Sequence, residues 1–397
     1  MKKLQLGIYV HWPFCTQKCP YCDFSSIVRN NVDESLWLEA LLKNLERYKY
    51  LSHSHEVCSV FFGGGTPSLM HPSTLETILQ RIEKYFSITH DAEITIEANP
   101  ATFSRQKLQD FRISGVNRLS IGIQSFQASS LEFLGRNHTA IQAHQSIENG
   151  QLVFDNVSID LIFGYHKQTP EMWHDDLHKA IQHHVHHLSC YQLTFEPNTP
   201  FYQRLKNKQM QHISDEEELL FAQITSQTLR STSLQKYEIS NWSCEDKQCR
   251  HNMLYWRYED YLGIGPSTHS RITYQTDYDS TAFCKLAIEQ IRAPDTWLKS
   301  IITDDNHHFT YNNHNAMQQT YFSEKRHVLS EEETTYEKIL MGLRLQEGVH
   351  LTINNLKYIN VEKIKQMSDI LSYENNILKT RAQGEFLTNY ILSEIFC

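Results

Sequence analysis

Cys15-Thr16-Gln17-Lys18-Cys19-Pro20-Tyr21-Cys22 packs three of the chain's nine cysteines into eight residues. Just ahead of it, Leu6 to Val10 reads as a short apolar strand. Further runs rich in Val, Ile, Phe and Tyr recur at Val57 to Phe62, Glu93 to Glu97, Arg118 to Ile123, Val157 to Phe163 and Leu188 to Phe195. Between them apolar residues fall at helical spacing: Leu75, Ile78, Leu79 and Ile82 follow Pro72-Ser73-Thr74, and Leu108 and Phe111 precede a stop at Gly115. Strand and helix alternating in this way predict an α/β fold with a parallel sheet and right-handed crossovers, either open and doubly wound or curled into a barrel. The cysteine loop then follows the first strand. Gly63-Gly64-Gly65-Thr66 follows the second, Glu97-Ala98-Asn99 ends the third, Gln124 follows the fourth and Asp160 lies in the fifth, the strand edge where such folds build their sites.

Composition narrows the function. The chain has 397 residues, enough for two or three domains, and its formal net charge of −9 lacks the basic excess that phosphate-backbone binding leaves in a sequence. Nucleic acid is therefore a poor partner. Met1-Lys2-Lys3-Leu4 begins like a secretion signal, but His11, Pro13 and Lys18 interrupt any apolar stretch, and nowhere do 18 apolar residues run together. A cytoplasmic protein that does not span a membrane is expected. Nine cysteines are too sparse for a disulfide scaffold, so clustered thiols point to metal or chemistry.

Two chemistries suit the loop. A cubane iron–sulfur cluster normally takes four cysteines, so a three-cysteine loop leaves one iron open to an outside ligand. A closed zinc site would need His11 or a distant cysteine as its fourth donor. The spacing Cys-x3-Cys-x2-Cys, with aromatic Tyr21 in its last gap, resembles the signature of the radical S-adenosylmethionine (SAM) superfamily. That resemblance implies a [4Fe–4S] cluster on Cys15, Cys19 and Cys22 and an incomplete (βα)6 TIM-like barrel. It also gives Gly63-Gly64-Gly65-Thr66-Pro67 a role, because glycines let backbone groups approach a ligand that a Cβ would block.

Within the superfamily the chain resembles the coproporphyrinogen-oxidase-like branch almost end to end. The matching segments are Tyr9-Val10-His11-Trp12-Pro13-Phe14-Cys15, Phe62-Gly63-Gly64-Gly65-Thr66-Pro67-Ser68, Ile96-Glu97-Ala98-Asn99-Pro100, Ile121-Gly122-Ile123-Gln124-Ser125-Phe126, Leu134-Gly135-Arg136-Asn137-His138 and Ile159-Asp160-Leu161-Ile162-Phe163-Gly164. The branch implies that Tyr9, Gly64 and Glu97 contact SAM, and that Tyr21, Gly65, Thr66, Gln124, Arg136 and Asp160 line a neighbouring site that holds a second SAM in the oxidase. The oxidases carry a further cysteine two residues after the third and a long segment ahead of the cluster. Here Phe24 stands at that position and eight residues precede Tyr9.

Both departures favour the heme chaperones of the branch over the oxidases. So does His251-Asn252-Met253-Leu254-Tyr255-Trp256, which matches their His-Asn-x-x-Tyr-Trp motif. The resemblance implies heme as cargo, heme-requiring acceptors such as respiratory proteins, and an electron donor for the cluster, and it leaves room for a homodimer. Anaerobic coproporphyrinogen III oxidation is the alternative. An imidazole among aromatics is a reasonable heme ligand, which makes His251 a candidate, with the Cys249 thiol two residues before it. The family usually continues Leu-Pro after Gly164. This chain has Tyr165-His166-Lys167, so the loop beyond Asp160 is expected to differ in shape.

The domain reading is a radical SAM core over 1–240, an extension carrying the His-Asn-x-x-Tyr-Trp motif with a polar linker over 241–329, and a small C-terminal α/β domain, winged-helix-like, over 330–397. Residues 303–327, rich in His, Asn and Gln, read as a loop or linker. Ser330-Glu331-Glu332-Glu333 reads as a capping box opening a helix. His174, His178, His183, His184, His186 and His187 resemble a metal cluster, but no Glu follows His174 in the zincin pattern, and a solvated helix end is the better reading.

Overall fold

A computed structural model describes residues 3–275, 283–303, 321–384 and 387–396. All six apolar runs are strands: Leu4–Trp12 (β1), His55–Gly64 (β2), Ser87–Ala98 (β3), Arg118–Gln124 (β4), Val157–Phe163 (β5) and His187–Gln192 (β6). They lie side by side in chain order and pair in parallel throughout. Only the sixth stops short of the expected run, leaving Leu193 to Phe195 beyond its end. Consecutive residues Leu6, Gly7 and Ile8 of β1 are all buried, as a parallel strand covered on both faces requires.

Helices return the chain between strands. Pro72–Tyr85 (α2, after Glu34–Glu46 as α1) buries Leu75, Ile78, Leu79 and Ile82, starts with proline at its first turn, and is capped by the His71 ring, which accepts from the Ser73 N–H. Arg105–Ile113 (α3) ends at Gly115, whose φ of +109° is the left-handed turn that a glycine terminates a helix with. Ala140–Gln151 (α4) opens with a capping box from Thr139 and Gln142, and Pro170–Gln182 (α5) is capped by Thr169.

The sheet does not end at β6. Gln235–Lys236 (β7), Asn241–Ser243 (β8), Asp260–Ile264 (β9), His269–Gln275 (β10), Phe283–Gln290 (β11) and Glu324–Leu329 (β12) join it, in the order β12-β11-β10-β9-β1-β2-β3-β4-β5-β6-β8-β7. Strand β9 runs parallel to β1 with Asp260 opposite Leu6, and the His55 ring meets the Asp260 carboxylate at 2.8 Å beneath them. The polar run 303–327 therefore needs a correction. Residues 304–320 lie outside the described residues, but Glu324 to His327 belong to β12, held by its ladder with β11 rather than forming a linker.

Asp215–Leu229 (α6) packs on α5, and Arg250–Trp256 (α7) packs on β1, β2 and β9. Beyond β12, Ser330 and Glu333 form the expected capping box on Glu331–Gly342 (α8). Val349–His350 (β13), Leu371–Glu374 (β14) and Ile377–Thr380 (β15) then form an antiparallel sheet in the order β13-β15-β14. This C-terminal part has its own core of Ile339, Leu343, Val349, Leu371, Leu378 and Ile391. It meets α7 through Leu345, packed with Tyr237 and Met253, and through an ion pair from Arg257 to Glu347 at 2.7 Å.

Four buried aromatics brace the start of the cysteine loop. Trp12, Phe14, Trp37 and Trp297 make edge and stacked contacts with centroids 4.9–6.5 Å apart. Such pairs contribute about 0.5–1.5 kcal/mol each beyond the area they bury. The backbone leaving β1 toward Cys15 is thus fixed by core packing.

Candidate functional site

Past Phe14 the chain turns into the cysteine loop at the carboxyl end of the sheet. Cys15 is buried, and its sulfur accepts from the Thr66 hydroxyl at 3.4 Å. The Cys22 N–H closes a turn onto the Cys19 carbonyl, and Lys18 ties the loop's exit by donating to the carbonyls of Phe24 and Ser26. Gln17 donates to the Gly135 carbonyl and Pro20 accepts from the Phe201 N–H, fastening the other side. Phe24, in place of a fourth local cysteine, is 57% exposed at the rim.

The glycines behind the loop are needed where they are. A Cβ on Gly65 would stand 2.7 Å from the Phe14 carbonyl oxygen and 2.8 Å from the Pro13 carbonyl carbon. Only a bare backbone lets β2 run close enough for the Gly65 and Thr66 N–H groups to donate to Trp12 and Phe14, both at 2.8 Å. Gly64, at φ +112°, turns its N–H to the Glu97 carboxylate at 3.2 Å.

These residues open on a cavity of about 500 Å³. All three cysteines line it, as do Tyr21, Gly64, Gly65, Thr66, Glu97, Gln124, Arg136 and Asp160. Eleven of the thirteen residues singled out from sequence thus share one wall. Tyr9 is beside that wall, its hydroxyl donating to Nδ1 of His11 while Nε2 of His11 donates to the Ser25 carbonyl. Both nitrogens of His11 are therefore engaged.

Burial dominates the electrostatics of the cleft. Burial raises the Cys15 and Cys22 thiols, with the Thr66 hydrogen bond working against it at Cys15. They ligate as thiolates only when a metal's own charge drives the protons off. Burial, and then the neighbouring Asp160 carboxylate, pushes Glu97 up to about 8, and burial raises Asp160 as well. Burial disfavours the Arg136 cation, but Tyr21 and Cys19 beside it raise its pKa on balance. Its guanidinium donates to the Gly122 carbonyl at 2.8 Å and the Cys19 sulfur at 3.5 Å, while its Nε is buried without an acceptor. Gln124 sits at φ +69°, a left-handed backbone uncommon for its type, at a break in the β4–β5 ladder.

Among the described residues no three His, Cys, Asp or Glu side chains converge on a point where a single ion would sit. A mononuclear zinc site requires that convergence; a cubane instead spreads its cysteines one per iron, and three thiols on one loop facing a wide cavity suit it. The unmet Arg136 donor suits a carboxylate-bearing ligand beside it.

His251 is placed elsewhere. It is 2% exposed on α7, with Nδ1 at 2.9 Å from the Ser59 hydroxyl and Nε2 at 2.9 Å from the Tyr255 hydroxyl. Phe61 stacks on it, and burial, helped by the Arg118 charge, lowers its pKa to about 3. Cys249 is also buried, donating to Glu93, with its thiol pushed up to about 12. Both ring nitrogens of His251 are thus engaged by hydroxyls.

Sequence reasoning passed over Arg118, Ser120, Tyr191 and Gln192. Arg118 is 2% exposed near Glu93, and Ser120, Tyr191 and Gln192 line the cavity. An arginine opening an otherwise apolar strand was the available signal. Of the histidine run, His174 and His178 are an exposed pair on α5, whereas His187 is buried between the hydroxyls of Ser158 and Tyr237 at the start of β6. The loop after Gly164 is pinned by Tyr165, which donates to Ser130 and stacks on Phe133.

The model of the radical SAM superfamily matches residues 9–180. The heme chaperone HemW of Escherichia coli is 38% identical over 273 residues, which is 68% of this chain and 71% of that one. The chain belongs to the HemW branch of the radical SAM superfamily. The mouse protein named radical S-adenosyl methionine domain-containing protein 1, mitochondrial, is 32% identical over 97% of this chain and 82% of its own length. The structure of coproporphyrinogen III oxidase (HemN) from E. coli superimposes with a TM-score of 0.77 over 98% of this chain and 90% of that one, at 19% identity, which establishes a shared fold. Membership of the superfamily implies a [4Fe–4S] cluster and SAM. Among the described residues no helix is long and apolar enough to cross a membrane.

Proposed function

We propose that the chain is a heme chaperone that binds heme and passes it to heme-requiring acceptor proteins, respiratory ones among them, in the cytoplasm. The observation that carries this reading is the match, over more than two thirds of their length, to proteins named heme chaperone HemW.

In this reading Cys15, Cys19 and Cys22 hold the cluster, which supplies when bound an open iron for the amino-acid end of SAM. Gly64 and Glu97 border that ligand with Tyr9 behind them. Arg136 offers its free Nε to a carboxylate, and Tyr21, Gly65, Thr66, Gln124 and Asp160 complete the wall. Burial and the neighbouring Asp160 carboxylate shift Glu97 toward its neutral form. Lys18 and Thr66 keep the loop in register, and Phe24 stands at the rim. Residues 1–240 form the core, 241–329 the extension and 330–397 a winged-helix-like end domain; an electron donor and a second copy of the chain are further partners.

The test is one anaerobic preparation carried through three measurements. Iron and sulfide near four per chain, saturable heme binding and heme transfer to an apo-acceptor are expected. Protoporphyrinogen made from coproporphyrinogen, without heme transfer, would replace this reading with the oxidase.

A further inference from the structure

A second cavity lies where α7 meets the C-terminal part. It measures about 360 Å³, within the usual span of small-molecule sites at roughly 300–1,000 Å³. Its apolar lining comes from Trp256, Leu345, Val349 and Ile377, and its polar lining from Arg257, Lys338, Glu347 and His350. Two features of this lining are incomplete, at Lys338 and at Trp256. Lys338 is half-buried with its pKa lowered by burial and by the Lys285 charge, and no acidic partner answers it among the described residues. Arg257 does not compete for an incoming anion, because Glu347 already neutralises it with two hydrogen bonds of 2.7 and 2.9 Å. The Trp256 indole N–H is buried with no acceptor.

His350 completes the set. It sits on β13 opposite Ile377, exposed, and lines the cavity. An open imidazole, an apolar floor that includes the Trp256 indole, whose ring also has the Arg344 guanidinium 5.7 Å from its centre, and an unanswered ammonium together match a flat aromatic macrocycle that carries a metal and acidic side arms. The imidazole takes the metal, the floor takes one face of the ring, and the ammonium takes a carboxylate. His251, five and six residues before the cavity's Trp256 and Arg257, is sealed behind Tyr255.

We propose that the cargo heme docks in this cavity, with His350 as the iron ligand and Lys338 pairing with a propionate. This rests on the reading of the chain as a heme carrier. On that view the His-Asn-x-x-Tyr-Trp helix serves heme through its Trp256 end, while His251 anchors the helix to the barrel. Heme would then sit on the side of α7 away from the barrel interior, against the C-terminal part.

The experiment is an anaerobic titration of the cluster-loaded full chain with heme and, separately, with metal-free protoporphyrin IX, followed by the Soret band. His350→Ala should abolish the imidazole-ligated heme spectrum and raise the heme Kd tenfold or more, with little change for metal-free porphyrin. Lys338→Glu should weaken both ligands at least tenfold. Both positions are solvent-accessible, and far-UV circular dichroism of each variant verifies the fold. Heme binding with an unchanged spectrum and a Kd within twofold in both folded variants overturns the cavity assignment. Absence of heme binding by the unaltered chain instead overturns the chaperone reading itself.

Discussion

Replacing Gly65 by alanine is expected to cost the chain its cluster out of proportion to its stability. The new methyl would stand 2.7, 2.8 and 2.9 Å from three backbone atoms of Pro13 and Phe14, roughly 0.6–0.8 Å inside the ordinary contact separation of about 3.5 Å. Backbone cannot rotate aside as a side chain does, so β2 must draw back from the cysteine strand. Overpacking of this kind costs about 1–3 kcal/mol. The retreat also stretches the Thr66 N–H bond to Phe14 and the Thr66 hydroxyl contact to Cys15, at about 0.5–1.5 kcal/mol for a typical hydrogen bond. A total of about 2–4 kcal/mol is expected, concentrated where Cys15 is set. Gly115→Ala is the control. At φ +109° it pays a left-handed penalty of about 1–2 kcal/mol, and its new methyl meets only a Leu79 methyl at 3.3 Å, far from the loop. Urea denaturation gives the stability of both variants, and iron and sulfide per chain after anaerobic reconstitution give the cluster. Gly65→Ala should lose most of its iron while Gly115→Ala keeps it. If Gly65→Ala reconstitutes as fully as the unaltered chain, the packing argument for the triple glycine is wrong.

Other outcomes follow from the same geometry. Arg136→Met should raise the Kd for SAM by roughly ten- to a hundredfold, from the loss of a charged hydrogen bond worth about 1.5–3 kcal/mol, with iron content retained; an unchanged Kd by equilibrium dialysis would remove Arg136 from the site. Glu97 in the folded chain holds its proton to about pH 8 against an ordinary value of 4.5, so the folded state binds more protons than the unfolded one between those values, and its contribution to stability falls as pH rises through that window. Glu97→Gln should flatten that decline in urea titrations of the cluster-free chain at pH 5, 6.5 and 8; parallel slopes would contradict the raised value. His251→Phe should leave the Ser59 and Tyr255 hydroxyls unpaired, costing about 1–3 kcal/mol of stability, yet preserve heme affinity within twofold; a lost Soret band in a folded variant would restore His251 as the ligand.

What the sequence made legible was local. Each of the first six strands is a short apolar run whose neighbours in the sheet are its neighbours in the chain, so period and order sufficed. Cys15, Cys19 and Cys22 were readable because one loop carries them all. Glu97, Gln124 and Asp160 come from different strands and were gathered by the strand-edge rule for parallel folds, whereas Arg136 joined them through the family resemblance. The β9 pairing with β1 joins residues from opposite ends of the chain, and nothing in either strand announces its partner. The surroundings of His251 were hidden for a related reason. Its aromatic neighbours read as a cofactor pocket in one dimension; in three they are Tyr255 and Phe61 packed around it, with Ser59 from β2 on the second nitrogen. The polar run ending in β12 was read as linker because alternation in Glu324–Leu329 is weak, and its strand state depends on the β11 ladder beside it.

The distance in sequence between β1 and β9 has a consequence during synthesis. Strand β1 finds β2 within some fifty residues, but its other edge is completed only by Asp260–Ile264. At translation speeds of about 5–20 residues per second that edge stays bare for roughly 12 to 50 seconds. An uncovered apolar edge is a template for pairing with other chains. The nascent protein therefore carries an open strand edge beside the start of the cysteine loop until β9 closes it.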